Sequence, residues 1–230
     1  MQLRQAAIAL AMTLAAPAFA QEAATETTPA PETTAQTETT AQTDAGTAAE
    51  ATPEILPDVA MGAEDAPVTI IEYASFTCGH CANFHEEVYP KLKAEYIDTG
   101  KVRFVQRDIY FDQPGLWAGV LARCGGDDKF FPVADMLFDE QKEWLSGGSG
   151  DEIAAQLRRI GLKAGMTEEQ MTACWNDTAK VEQLIATFQQ NAGADEIDAT
   201  PTFVIEGEKV SNQPWEGLKE VIDAKLEAAG

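Results

Sequence analysis

The sequence predicts an α/β domain that is interrupted by an all-helical insertion and then resumed. Three observations support this fold class. A strand-like run rich in β-branched residues at 68–74 is followed by apolar residues at helical spacing and by a second strand-like run at 102–109. This is the order of a βαβ unit. Five segments with helical spacing, and no strand pattern between them, then fill the middle of the chain. A short strand, a turn and a closing amphipathic helix follow residue 201.

The first 56 residues are expected to lie outside this fold. Arg4, an apolar stretch of 11 residues and the sequence Ala18-Phe19-Ala20 predict a signal peptide over residues 1–20, cleaved after Ala20. An uncleaved membrane anchor is the alternative, but a spanning helix needs about 20 apolar residues. Residues 21–56 are rich in Ala, Thr, Glu and Pro and lack Lys and Arg, so we expect a disordered acidic tail, either a tether or an inert segment.

The charge of the chain disfavours one class of partner. The formal charge is −22 at pH 7, and about −16 remains on residues 57–230 once Arg4 and the seven acids of the tail are set aside. A surface this acidic repels phosphate groups, so nucleic-acid binding is not expected. Residues 57–230 are numerous enough to form one domain with a hydrophobic core.

The first half of the α/β module has clear periodicities. Residues 68–74 carry apolar side chains on both faces, as a central buried strand does. The next apolar residues recur at three- and four-residue steps and predict a helix that ends near Gly100 and is kinked at Pro90. These residues are Cys81, Phe84, Val88, Leu92 and Tyr96. A second strand is predicted at Val102–Ile109.

The helical insertion is predicted over residues 112–191. Its helical segments, separated by Gly, Asp and Ser, are 116–124, 130–145, 152–160, 168–175 and 178–191. The α/β module therefore comprises residues 57–111 and 192–230, and its second part has strands at 202–205 and 209–211 and a helix at 215–228. Four apolar residues of the insertion either line a peptide groove or, as helical spacing favours, pack in the core: Met136, Phe138, Trp144 and Met166.

The sequence Cys78-Gly79-His80-Cys81 lies between a buried strand and a helix. Unpaired N–H groups and the dipole at a helix N-terminus favour negative charge, so a thiolate at Cys78 is stabilised. Thiolate is the form that attacks or leaves in disulfide exchange. We therefore expect Cys78 to be the exposed attacking sulfur and Cys81 the shielded, resolving one. A protonated or hydrogen-bonding His80 would stabilise the Cys78 thiolate further.

A structural zinc site is the alternative interpretation of two closely spaced cysteines. It needs two more ligands, and the chain has no second C-x-x-C sequence to supply them. A redox pair is therefore favoured, and neither a metal nor a cofactor is expected. His85 could support the site from four residues beyond Cys81, although an ordinary surface or half-buried histidine is the favoured interpretation.

Residues 72–81 (EYASFTCGHC), the helical insertion and residues 199–203 (ATPTF) together resemble the DsbA family of thioredoxin-fold oxidoreductases. The resemblance covers residues 57–230. It implies a thioredoxin-like fold with a helical insertion domain, and a periplasmic enzyme that donates its disulfide to newly exported proteins. It also implies reoxidation by a DsbB-type, quinone-linked membrane partner. The dipeptide Gly79-His80 is that of protein disulfide isomerase, whereas the best-known DsbA has Pro-His, so isomerase activity stays open.

The resemblance also implies three supporting residues. Pro201 corresponds to a cis-proline that faces the active disulfide, and Thr200 presents its backbone to an extended substrate. Glu72 corresponds to a buried acid that moves protons to and from Cys81. The alternative for Glu72 is a carboxylate neutralised by Arg103 or Arg107 on the neighbouring strand.

The two remaining cysteines, Cys124 and Cys174, both fall in helical segments of the insertion. Leftover cysteines usually pair in an oxidising compartment, so a structural disulfide is expected. A second redox centre is the alternative, but neither cysteine belongs to a C-x-x-C sequence or begins a helix.

The sequence as a whole predicts a monomeric dithiol oxidase that acts on unfolded exported proteins through a mixed disulfide. A disulfide isomerase or reductase is the first alternative, although a tail that we expect to be disordered occupies the place where such enzymes commonly carry a dimerisation module. A non-redox peptide-binding protein of the same fold is the second, but it would not need a free attacking thiol.

Overall fold

The computed structural model of the chain describes residues 53–230. The predicted signal peptide and residues 21–52 of the predicted tail lie outside the described residues. Residues 53–56, which the sequence analysis assigns to the tail, already contact the insertion, because the backbone N–H of Leu56 donates to the hydroxyl of Thr187 at 2.9 Å. The contacts of the folded part therefore begin a few residues before the predicted boundary at residue 57.

Five strands of the described residues form one mixed sheet with the order β1-β3-β2-β4-β5. They are β1 (Val59–Met61), β2 (Val68–Ala74), β3 (Val102–Asp108), β4 (Thr202–Ile205) and β5 (Glu208–Ser211). Strands β2 and β3 are parallel and the other neighbours are antiparallel. The predicted central position of β2 is confirmed. Strand β1 was not predicted, because three residues are too few to show an alternating pattern.

The helices follow the predicted order with two differences. They are α1 (Gly79–Glu87), α2 (Tyr89–Leu92), a π-helical turn (Lys93–Ile97), α3 (Gln113–Cys124), α4 (Asp127–Asp139), α5 (Gln141–Leu145), α6 (Gly150–Lys163), α7 (Glu168–Asn176), α8 (Thr178–Ala194) and α9 (Trp215–Ala229). The single helix predicted before Gly100 is broken at Val88, since Pro90 lacks the N–H that would continue the hydrogen-bond ladder. The predicted helix 130–145 is divided into α4 and α5 at Glu140.

One hydrophobic core joins the sheet to the helical insertion. The rings of Phe76, in the loop after β2, and Phe138, on α4, lie 4.9 Å apart. Of the four apolar residues considered for a groove, Phe138, Trp144 and Met166 are buried and Met136 packs against the same core. The interpretation that these four residues pack in the core, which their helical spacing favoured, is therefore confirmed. The α/β domain with an all-helical insertion predicted from the sequence is confirmed.

A disulfide joins Cys124 at the end of α3 to Cys174 on α7. The two Cα atoms are 5.8 Å apart, and the indole N–H of Trp175 donates to the carbonyl of Trp117 beside them at 3.0 Å. Closing a loop across a separation of 50 residues stabilises the fold by about 4 kcal/mol in the chain-entropy estimate. The bond lies within the insertion, where a structural disulfide was expected.

Candidate active site

Cys78 lies at the junction between the central strand and helix α1. Its backbone is extended (φ −85°, ψ 117°) and it is the N-cap residue of α1, so its side chain lies beside the unpaired N–H groups of the first turn. The loop before it is buried, and the N–H of Cys78 donates to the carbonyl of Ser75 at 3.0 Å. A side chain at Gly79 would meet nothing within 4 Å, so the molecule is open above this turn. Only part of Cys78 is accessible, whereas Cys81 is fully buried.

Four hydrogen-bond donors stabilise a thiolate at Cys78. The Cys81 side chain, the Thr200 side chain and the backbone N–H groups of Cys81 and His80 together lower the pKa of Cys78 to about 5, although partial burial raises it. The largest of these contributions comes from the Cys81 thiol. Cys78 therefore carries a negative charge at neutral pH when the pair is reduced. The backbone N–H groups of the helix contribute as predicted, and the Cys81 thiol, which the helix-terminus argument did not include, contributes more.

The environment of Cys81 has the opposite effect. Its hydrogen bond to Cys78, its burial and the negative charge of Glu72 all raise the pKa of Cys81 far above the ordinary thiol value. The proton of the reduced pair thus stays on the inner sulfur while the charge stays on the outer one. This asymmetry is what an exposed attacking thiol and a shielded resolving thiol require.

Residues 200 and 201 face the outer cysteine. The peptide bond between Thr200 and Pro201 is cis, and the thiol of Cys78 donates to the carbonyl of Thr200 at 3.4 Å. A groove of about 520 Å³ runs along this segment. Its lining includes His80, Thr200, Pro201, Lys209 and Asn212. Through Thr200, this groove lies next to the sulfur of Cys78.

His80 contributes through its backbone and by its position in the groove. In the part of the chain that the structure describes, its imidazole makes no hydrogen bond, and the side chain is exposed. His80 contributes to the lowered pKa of Cys78 through its backbone N–H. The predicted hydrogen bond from the imidazole to the thiolate is therefore not formed here.

Glu72 is paired with His85, and this corrects two sequence interpretations. Glu72 is fully buried and its Oε2 lies 2.9 Å from Nε2 of His85, whereas Arg107 contacts Asp58 and Asp195. An arginine partner for Glu72 was therefore wrong. The favoured surface or half-buried histidine was wrong as well, since His85 is 5% exposed and stacks on Phe138 at 4.0 Å. The helical spacing places His85 on the buried face of α1, but no local pattern identifies its partner.

Gln141 also contacts the site and was not predicted. Its side-chain amide donates to the carbonyls of Phe76 and Cys78, at 2.9 Å each, from the first turn of α5. A single glutamine within a helical segment gives no sign of such a role, because its partners lie more than 60 positions away in the chain.

Two properties of residues 53–230 bear on other classes of function. No three His, Cys, Asp or Glu side chains in this range converge as a metal site would require. None of its helices has both the length and the apolar character that crossing a membrane demands.

The charge on Cys78 gives a prediction for pH. We expect the reduced protein to show an ultraviolet thiolate absorbance that appears with a midpoint close to pH 5. Folding lowers the pKa of Cys78 below the free-thiol value of about 8.5. The thiolate therefore stabilises the folded, reduced protein fully at pH values above about 8.5. That stabilisation is lost as the pH falls through 5. An ultraviolet titration checks this, with Cys78→Ser as the control that removes the transition. A midpoint above 8 would contradict it.

Comparisons with known proteins agree with this geometry. A family model described as thioredoxin matches residues 54–224. A Rickettsia bellii protein, provisionally named a protein-disulfide oxidoreductase, is 32% identical over 171 residues, which are 74% of this chain and 65% of the relative. Disulfide bond formation protein D of Bacillus subtilis is 25% identical over 191 residues, covering 78% of this chain and 82% of that protein.

A solved structure is similar over most of the folded part. The crystal structure of Wolbachia pipientis alpha-DsbA1 matches with a TM-score of 0.70 and 27% identity, over 77% of this chain and 94% of that one. The chain covers less than two thirds of the length of the Rickettsia relative.

Proposed function

The chain belongs to the thioredoxin family and has the fold of the DsbA proteins, and on this premise we propose that it is a protein disulfide oxidoreductase. Its working group is the couple of Cys78 and Cys81, and it acts chiefly as a dithiol oxidase. The Rickettsia and Bacillus relatives, whose names refer to disulfide oxidoreduction and disulfide bond formation, support the class of reaction.

The observation that carries the oxidase direction is the lowered pKa of Cys78. A thiolate that is stabilised at neutral pH stabilises the reduced form of the couple, and a stable reduced form makes the disulfide a stronger oxidant. The buried Cys81 does not offset this effect, because it remains a neutral thiol. The couple should therefore accept electrons readily from substrate thiols.

The reaction follows from the exposure of the two sulfurs. A substrate thiolate attacks Cys78 of the oxidised pair, which forms a mixed disulfide and breaks the bond to Cys81. Cys81 leaves and takes up one of the two protons that the substrate thiols release, and Glu72, the nearby buried carboxylate whose charge acts on this sulfur, is the group that would pass the proton to it. A second substrate thiolate then attacks the substrate sulfur of the mixed disulfide, and Cys78 leaves as its stabilised thiolate. Two substrate thiols are oxidised, two protons are released from them, and the enzyme pair is reduced.

The groove beside Pro201 supports the choice of substrate. The Thr200 carbonyl lies 3.4 Å from the sulfur of Cys78, and a backbone edge next to a reactive thiol suits an extended polypeptide. We therefore propose unfolded, newly exported proteins as substrates. The predicted signal peptide, cleaved after Ala20, supports a periplasmic location. We propose that the enzyme acts there as a monomer and that a DsbB-type quinone-linked oxidase restores its disulfide.

A disulfide isomerase is the second candidate, and the Gly79-His80 dipeptide is what favours it. The two residues between the cysteines affect the stability of the Cys78 thiolate, and the stability of the thiolate affects the reduction potential of the couple. The two candidates differ in the potential they need: about −120 mV is typical of a strong oxidant and about −180 mV of an isomerase.

The test is the reduction potential of the Cys78–Cys81 couple in glutathione buffers, together with refolding of ribonuclease. We expect a potential above about −180 mV and rapid oxidation of reduced ribonuclease by stoichiometric oxidised protein without glutathione. Recovery of scrambled ribonuclease, in contrast, should be slow. A potential of about −270 mV would indicate a reductase. Failure to exchange any disulfide would indicate a peptide-binding protein without redox activity.

A further inference from the structure

A polar side chain of the helical insertion reaches into the active-site loop. Gln141 is the first residue of α5 and is 5% exposed. Its Nε2 donates one hydrogen bond to the carbonyl of Phe76 and one to the carbonyl of Cys78, both at 2.9 Å. Both hydrogens of the amide are thus used on the loop that ends at the reactive cysteine.

The amide is held from the side of the insertion. Trp144, three residues further along α5, is 1% exposed, and its indole N–H donates to the carbonyl of Leu137 on α4 at 2.7 Å. Residues three apart lie on the same side of a helix, so the buried indole fixes the direction in which Gln141 leaves α5. The turn of α5 that carries Gln141 is therefore anchored to α4 within the insertion.

The carbonyl that Gln141 binds belongs to the first turn of α1. The carbonyl of Cys78 also accepts from the backbone N–H groups of Cys81 at 3.1 Å and of Ala82 at 3.2 Å. Fixing this carbonyl fixes the peptide planes that follow it. These planes include the N–H groups of His80 and Cys81, which converge on the sulfur of Cys78. The positive end of the Gln141 amide dipole also points toward the loop, where it favours a negative charge.

We propose that Gln141 is a positioning residue, through which the helical insertion holds Cys78 in the geometry that makes its sulfur reactive. The inference rests on the proposed function of Cys78 as the reactive thiol. It assigns the insertion a part in the chemistry besides that of covering the sheet, and it gives a physical reason for the burial of a polar side chain in this interface.

The test compares Gln141→Met with a control of similar stability loss. Methionine keeps the length of the side chain and removes both donors. We expect the ultraviolet midpoint of Cys78 to rise by about one pH unit. The equilibrium constant with glutathione should change about tenfold toward the oxidised protein, which lowers the potential by about 30 mV. Leu157→Ala removes a fully buried side chain of α6 and leaves both hydrogen bonds of Gln141 in place, so its midpoint should equal that of the unmodified protein.

An unchanged midpoint in Gln141→Met, with a loss of stability like that of Leu157→Ala, would overturn the inference. If Gln141→Met does not fold, Gln141→Asn serves instead, because its shorter amide cannot reach both carbonyls. A raised midpoint in that variant supports the inference and an unchanged one overturns it. A midpoint near 9 in the unmodified protein would overturn the proposed function and this inference together, whereas a midpoint near 5 that no Gln141 variant moves would overturn this inference alone.

Discussion

Replacing Cys78 with serine is expected to reduce disulfide transfer to the uncatalysed background. The partly accessible sulfur of Cys78 is the atom that forms the mixed disulfide in the proposed reaction, and a hydroxyl can form no such bond. The hydrogen bonds that stabilise a thiolate at this position cannot compensate, because a serine hydroxyl stays protonated at neutral pH. The measurement is the rate at which reduced ribonuclease is oxidised, with thiols counted over time.

Two control variants make this result specific. Cys81→Ser keeps the attacking sulfur and lacks the resolving one, so it should accumulate a mixed disulfide with substrate that is visible on a non-reducing gel. The double variant Cys124→Ser/Cys174→Ser should retain transfer, because that disulfide joins α3 to α7 inside the insertion. Transfer that persists in Cys78→Ser, or an adduct attached to Cys81, would refute the assignment of the two sulfurs.

Replacing His85 with leucine is expected to destabilise the fold by about 3–5 kcal/mol. His85 lies 2.9 Å from the carboxylate of Glu72, and both side chains are almost completely removed from water. Removing the imidazole leaves a buried carboxylate whose other oxygen, Oε1, already lacks a hydrogen-bond partner among the described residues. The measurement is urea unfolding of the oxidised protein at pH 8, compared with the unmodified chain.

A double-mutant cycle separates the pair from the packing around it. Glu72→Leu/His85→Leu should recover most of the stability that His85→Leu loses, because no unpaired charge remains in the core. Additive losses in the two single variants would contradict the importance of the pair. The double variant also tests the proton role proposed for Glu72: a slower exchange at retained stability supports that role, and an unchanged rate argues against it.

Much of the scaffold could be predicted from local patterns. Strand β2 shows apolar residues on both faces because it is covered on both sides, and the resumption of strands after residue 201 gave β4 with the observed bounds. Strand β1 was missed because three residues show no period. The division of residues 130–145 into two helices was missed because the apolar spacing continues across Glu140.

The sequence by itself determined where the two sulfurs of Cys78 and Cys81 lie. A C-x-x-C pair between a buried strand and a helix places one sulfur at the free N–H groups and the other on the inner face, and these two placements depend only on neighbours in the chain. Only the tertiary structure decided what surrounds that pair. His85 beside Glu72 and Gln141 on the Cys78 carbonyl join elements that are distant in sequence, so their pairing follows from how the helices pack on the sheet.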